Sequence, residues 1–237
     1  MIITISSWKG GTGKTTLSVL LATILAARGK RILIVDLDSN CAISQCFGQV
    51  LKDFTSMEFL SGTGENFRGI YPAMDGIDII PGNLNNMLIN NMMDKQLKIN
   101  LNRGGYATKY DYVIIDPPGY WGSHTRNAVF ASDVLVIPGA CSRIDFEASK
   151  LYFNTLRNNG VGVETYICVN AFNAKNNLPG IHEEYKSEFG EFLMPEPIPY
   201  IKSLKQLTSD VNYPLQSAVK RRLEGFVDII TKEAADA

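Results

Sequence analysis

Short runs of Ile, Val and Leu recur along the chain at Ile2–Ile5, Ile32–Val35, Ile77–Ile80, Tyr112–Ile115, Val134–Ile137 and Val163–Val169. Most of them read apolar rather than alternating, which is the pattern of strands covered on both faces of a mostly parallel sheet. Between them the period changes. Leu17, Leu20, Leu21, Ile24 and Leu25 recur at spacings of three and four, so Thr16–Ala27 reads as a helix, with Gly29 placed to end it. Ile144–Leu156 and Leu215–Ile230 repeat that pattern. The stretch Asn83–Asn102, rich in asparagine and methionine, reads as a further helix in which Met87, Met92 and Met93 fill core space. Alternating β and α elements of these lengths predict an α/β three-layer sandwich. No repeat or low-complexity linker interrupts residues 1–237, so a single domain is expected.

Composition narrows the class without naming a function. With 45% hydrophobic and 20% charged residues, the balance is that of an ordinary globular protein with a sizeable core. A net charge of −1 argues against coating nucleic acid over the whole surface and leaves a local patch open. Cys41, Cys46, Cys141 and Cys168 show no CxxC pairing, and His124 and His182 are isolated, so reduced thiols are expected rather than a zinc site. No run approaches the ~20 apolar residues of a membrane helix, and glycines and lysines break up the first 25 residues, unlike a signal peptide. A cytoplasmic protein is expected.

The break after the first strand carries the chemistry. Lys9-Gly10-Gly11-Thr12-Gly13-Lys14-Thr15-Thr16 joins that strand to the first helix. A glycine-rich turn there aims successive backbone N–H groups at an anion, and the helix N-terminus adds favourable partial charge. In such a phosphate loop Lys14 reaches the β- and γ-phosphates of a nucleotide, and the Thr15 hydroxyl holds Mg²⁺. The strict pattern wants a glycine five residues before Gly13, where Trp8 stands; a variant beginning at Lys9 fits instead. Lys9 is not needed to cradle phosphates in its own loop, so it asks for another task.

Open α/β sheets bind ligands at the carboxyl ends of their strands. Asp36 and Asp38 follow the second apolar run, and Asp116 follows the fourth. Acids so placed suit a Mg²⁺ shell, mostly through water; the competing reading is that they cap turns or helices. Two acids two residues apart on an extended segment share one side, which capping does not require. Pro117-Pro118-Gly119 then makes a stiff turn ending in a flexible residue that faces the γ-phosphate.

Three segments in order, Lys9–Thr16, Ile32–Asp38 and Tyr110–Pro118, resemble the ParA/MinD group of ATPases with a deviant phosphate loop. The resemblance runs through most of the chain. It implies ATP and Mg²⁺ held between two protomers, with Lys9 crossing to the partner's nucleotide. It further implies that Asp38 positions the attacking water, that Asp36 lies near the metal, and that Asp116 is the acid of a second switch. Adenine contacts fall on Asn170 and Pro199. Two positions depart from the family pattern. Ser39-Asn40 stands where Pro-Gln is common, and Trp8 replaces a small or polar residue, either packing at a dimer interface or simply packing.

Within that group, the nitrogenase iron proteins need a cysteine after the second switch, and Asp116–Val136 has none. A membrane-bound, MinD-like member ends in a basic amphipathic helix. Lys220-Arg221-Arg222 with Leu223, Phe226, Val227, Ile229 and Ile230 could mimic one, but the small, acidic residues 231–237 oppose an anionic surface. Those apolar residues are expected to dock on the core. Lys202, Lys205, Lys220, Arg221 and Arg222 face only Asp210 in the same stretch. That excess suits a patch for non-specific duplex DNA, the alternative being a solvated helix face. No helix-turn-helix segment precedes the first strand, so operator-specific binding is not expected. The resemblance is strongest to short ParA partition ATPases: an ATP-bound homodimer on nucleoid DNA, with weak basal hydrolysis stimulated by a ParB-like partner. The other readings are the MinD-like one and a metabolic synthetase using the loop for phosphoryl transfer.

Overall fold

The computed structural model describes residues 1–62, 69–88, 92–171, 173, 178–214 and 217–232. Its strands are β1 (Ile2–Ile5), β2 (Ile32–Asp36), β3 (Tyr71–Met74), β4 (Ile77–Ile80), β5 (Tyr112–Asp116), β6 (Val134–Gly139) and β7 (Glu164–Val169). The helices are α1 (Lys14–Ala27), α2 (Ala42–Cys46), α3 (Ser56–Ser61), α4 (Gln96–Arg103), α5 (Tyr106–Lys109), α6 (Ser123–Ala131), α7 (Arg143–Asn158), α8 (Ile181–Phe189), α9 (Leu204–Leu207) and α10 (Ser217–Thr231). The strands form one sheet in the order β3-β4-β2-β5-β1-β6-β7, parallel except at the β3–β4 edge.

Each central strand is buried along its whole length because both faces are covered. On one face Ile3, Ile5, Ile32, Ile34 and Ile114 pack with leucines of α1 and with Leu223, Phe226, Val227 and Ile230 of α10. The alternate residues Ile2, Leu33, Val35, Val113 and Ile115 meet α3–α6, and Leu135, Ile137 and Ile167 meet α7 and α8. These are the three layers the apolar runs predict. The final helix spends its apolar stripe on the core, as expected. α1 ends at a glycine in the left-handed region, Gly29 at φ +77°, whose N–H donates to Ala26 O at 2.8 Å. The predicted start at Leu215 lies outside the described residues.

Two expectations fail. β3 is not expected from the sequence: Pro72 interrupts the apolar residues around it, and the strand pairs only at an edge, across a bulge. The Asn83–Asn102 helix does not form as a unit. A 3₁₀ turn covers Leu84–Leu88 and α4 begins only at Gln96, with 89–91 outside the described residues. Asparagine side chains compete with the helix here: Asn83 Oδ1 accepts the Asn85 N–H at 2.8 Å, and buried Asn86 donates to Ser56 Oγ at 2.9 Å. Met87 and Met93 are consequently exposed rather than core filler, and only Met92 packs partly against the core.

Chain direction at the sheet centre places the site. From β1 the chain runs to β2 on one side, and from β5 it crosses β1 to reach β6 on the other. The carboxyl ends of β1 and β5 therefore border a crevice at which connections diverge. Ile114, central and fully buried, should lose roughly 2–5 kcal/mol of unfolding free energy on truncation to Ala. Ile144, 70% exposed on α7, should change by less than about 0.5 kcal/mol on the same truncation, both read by urea denaturation.

Candidate nucleotide site at the carboxyl ends of β1, β2 and β5

Residues 6–13 turn from β1 into α1. Gly13 has φ +97°, and a methyl there would stand 2.2 Å from Asn170 Nδ2, so conformation and space both demand glycine. Around Gly10 and Gly11 an added methyl would meet nothing within 4 Å, so these two residues leave an open concavity, as a phosphate cradle requires. The loop is closed by Ser7 Oγ and Thr12 Oγ1, 2.7 Å apart. Lys14 Nζ donates to Lys9 O at 3.3 Å. Gly119, after β5, approaches so closely that a methyl on it would lie 3.1 Å from that ammonium.

One cation stands among three acids. Burial pulls the Lys14 ammonium below its ordinary pKa, and the fields of Asp116 and Asp38 offset part of that. Asp36 and Asp116 are in register on adjacent strands and both are buried. Burial, then the Asp116 charge, pushes Asp36 up to about 8. Burial lifts Asp116 to about 6, with Thr15 and Lys14 holding it from rising further. Thr15 Oγ1 donates to Asp116 Oδ2 at 2.8 Å, and Ser18 Oγ, one turn on, to Oδ1 at 3.2 Å. A hydroxyl and a carboxylate in contact are hard oxygen donors of the kind Mg²⁺ takes alongside water and phosphate. Among the described residues no three His, Cys, Asp or Glu side chains gather as a metal cage.

The structure thus brings Lys14, Thr15 and Asp116 together, with Thr16 following in α1. Asp36 lies beside them but is turned into its own segment: Ser44 donates to Oδ2 from N–H at 3.1 Å and from Oγ at 2.5 Å, and the Asp38 N–H donates to Oδ1 at 3.0 Å. Asp38 is half-buried, accepts the Asn40 N–H at 2.9 Å, and acts electrostatically on Lys14, Asp116, Tyr120 and His124. Asn170 Nδ2 donates to Thr12 O at 2.7 Å, which ties the end of β7 to the loop. Pro199 lies alongside, because the Ile198 N–H donates to Val169 O at 2.8 Å. Lys9 is not in its own loop's concavity; its ammonium pairs with Asp145 of α7 at 2.6 Å. Lys202, Lys220 and Arg221 are exposed beside α9 and on α10, while the side chains of Lys205 and Arg222 lie outside the described set.

Sequence reasoning missed Ser18, Ser44 and Asp145. Ser18 follows Thr15 by one helical turn, a spacing that puts both on one face. Ser142-Arg143-Ile144-Asp145 has the form of a helix-capping box, and Ser142 Oγ does accept the Asp145 N–H. Ser44 has no local signal.

A family model described as an AAA domain matches residues 1–159. The sporulation initiation inhibitor Soj of Bacillus subtilis is 30% identical over 260 aligned residues, covering 99% of this chain and 98% of Soj. The cell division protein PomZ of Myxococcus xanthus is 30% identical, covering 86% and 68%. The chain belongs to the ParA/MinD family of P-loop ATPases. An ATP complex of a McdA variant from Cyanothece superposes on this ParA-type chain with a TM-score of 0.82 at 19% identity, covering 100% and 98%, a likeness of fold. No helix among the described residues is long and apolar enough to cross a membrane.

The raised Asp36 pKa has a stability consequence in nucleotide-free protein. The folded state holds this proton up to about pH 8 while the unfolded chain releases it near 3.8, so stability attached to the group drains as pH rises through that window. Asp36→Asn should gain stability relative to wild type between pH 5 and pH 8, measured by chemical denaturation; an unchanged difference would mean the carboxyl is ionised throughout.

Proposed function

We propose that this chain is a ParA-like partition or positioning ATPase: ATP joins two copies, the dimer binds duplex DNA without sequence preference, and hydrolysis resets it. The observation that carries the reading is the division of labour between two lysines. Lys14, hydrogen-bonded to Lys9 O and close to Gly119, completes the anion site of its own loop. Lys9 stands outside that concavity, its ammonium against Asp145 of α7, so nothing in its own loop's anion site uses its charge.

The residues divide the work as follows. Backbone N–H groups of Gly10–Thr16 and the Lys14 ammonium bind the phosphates of ATP, and Asn170 and Pro199 border the base. Asp38, half-buried beside Lys14, holds the attacking water. Lys9 from the twin stabilises charge spread over the transferred phosphoryl group, as an arginine finger does. Thr15 and Asp116, with Asp36 behind them, would hold Mg²⁺, which neutralises phosphate charge when bound. Gly119, close to the Lys14 ammonium, is placed to sense the γ-phosphate. Lys202, Lys205, Lys220, Arg221 and Arg222 form the DNA face, and two such faces in one dimer convert weak patches into useful affinity. The stimulating partner is a ParB-like adaptor, the location is the cytoplasm on the nucleoid, and the cargo is a plasmid, a chromosome origin or a protein assembly.

Light scattering with a non-hydrolysable ATP analogue should report a dimer, and Lys9→Ala should reduce hydrolysis by at least ~10³-fold, the scale of a finger supplied in trans. A monomer that turns over at the wild-type rate would end the reading. Filter binding to random duplex should require ATP, and Lys220→Ala with Arg221→Ala should lower the salt slope by about two, near one per lost phosphate contact. Sedimentation with anionic vesicles but not with DNA would favour the MinD-like reading. ATP consumption tied to a small acid, with no dimer, would favour a synthetase.

A further inference from the structure

Lys9 is engaged within its own subunit. Its side chain is 36% exposed, whereas that of Asp145, 2.6 Å away, is 7% exposed. Asp145 occupies the first turn of α7, its carboxylate accepting from Ser142 Oγ and its N–H donating back to that oxygen at 3.2 Å. The residue before Lys9 leans on the same helix. The Trp8 and Tyr152 ring centroids are 5.5 Å apart, and Tyr152 OH lies 2.8 Å from Ser6 Oγ. Trp121, five residues beyond Asp116, meets the same tyrosine edge-on at 6.1 Å. Asp145 and Tyr152 are two helical turns apart and so share one face of α7. The leading edge of the phosphate loop therefore rests on this helix at two points, and the segment after the second acid touches one of them.

We propose that Asp145 is a positioning residue that holds Lys9 in cis, with Trp8 packed against Tyr152, and that dimer formation around ATP breaks both contacts. The inference rests on the ATP-bridged dimer proposed above. While its charge is met by Asp145, Lys9 cannot serve a second subunit. A competing site must offer more than one carboxylate, and a triphosphate on the twin does so. Removing Lys9 also leaves a buried acid without its partner, which raises the barrier to release. Each dimer needs two releases, so the effect enters the dimer equilibrium squared. At about fivefold per partly exposed ion pair, the dissociation constant of the dimer carries roughly 25-fold. The arrangement makes association conditional on nucleotide without any change at the phosphate loop's own anion site.

The test uses the full chain in sedimentation equilibrium across a concentration series, with and without a non-hydrolysable ATP analogue. Asp145→Asn should dimerise with the analogue at a dissociation constant about 5- to 25-fold below wild type, and Asp145→Glu, which keeps the charge, should stay near wild type. An Asp145→Asn dimer as weak as wild type, or weaker, overturns the inference while leaving the bridged dimer standing. A wild-type chain that stays monomeric with the analogue overturns the bridged dimer and this inference with it. Should Asp145→Asn fail to fold, Trp121→Phe leaves Trp8 as the sole tryptophan of the chain. Its emission should shift as the analogue-bound dimer forms, and an unchanged spectrum across that transition overturns the proposal.

Discussion

Placing Lys14 largely out of water, next to Gly119 and within the fields of Asp116 and Asp38, is the constraint around which the rest is arranged. A buried ammonium is costly unless negative charge is near, and a buried carboxylate has the same need in reverse. The chain meets both by ending β2 and β5 in register, so that Asp36 and Asp116 flank the start of α1. The balance is incomplete: both acids are raised and the lysine is lowered. A site that has concentrated acids around one cation, with two open glycines before it, gains most from a ligand that brings phosphate together with a divalent ion.

Hydrogen bonding then decides which acid is free to act. Ser44 and the Asp38 N–H occupy the oxygens of Asp36, whose role is therefore to fix the segment after β2 as much as to face a metal. Asp116 is held by two hydroxyls from one face of α1, so the strand end and the helix start move as a unit. Asp38 accepts the Asn40 N–H alone among the described residues and stands half-buried. Among the three acids it is the one best able to change partners.

Much of this was legible in the residues alone, for physical reasons that differ from case to case. β1, β2, β5 and β6 announce themselves because a strand buried on both faces must be apolar throughout. The loop is legible because Gly13, Lys14 and Thr15 act through local spacing. β3 was not, since an edge strand with Pro72 satisfies neither pattern. The Met87–Met93 stretch misled because methionine signals a core only when the backbone can form a continuous helix, and Asn83 and Asn86 divert it. Asp145 carries a local capping signal, but its meeting with Lys9 comes from packing of α7 against a loop remote in sequence; Ser44, close to Asp36 along the chain, carries no signal of its own. Positions such as Asn170 and Pro199 were placed by resemblance, and their nearness to the loop follows from the ladder between β7 and residue 198.

The margins of the sheet carry a further consequence. At one border Pro72 supplies no N–H, and a bulge interrupts the ladder between β3 and β4. At the other, Leu193 bridges Ile167 in parallel and the following chain bonds along β7. Among the described residues, both borders are thus irregular. Pro72 and the bulge at one border, and the chain laid along β7 at the other, disfavour growth by strand addition.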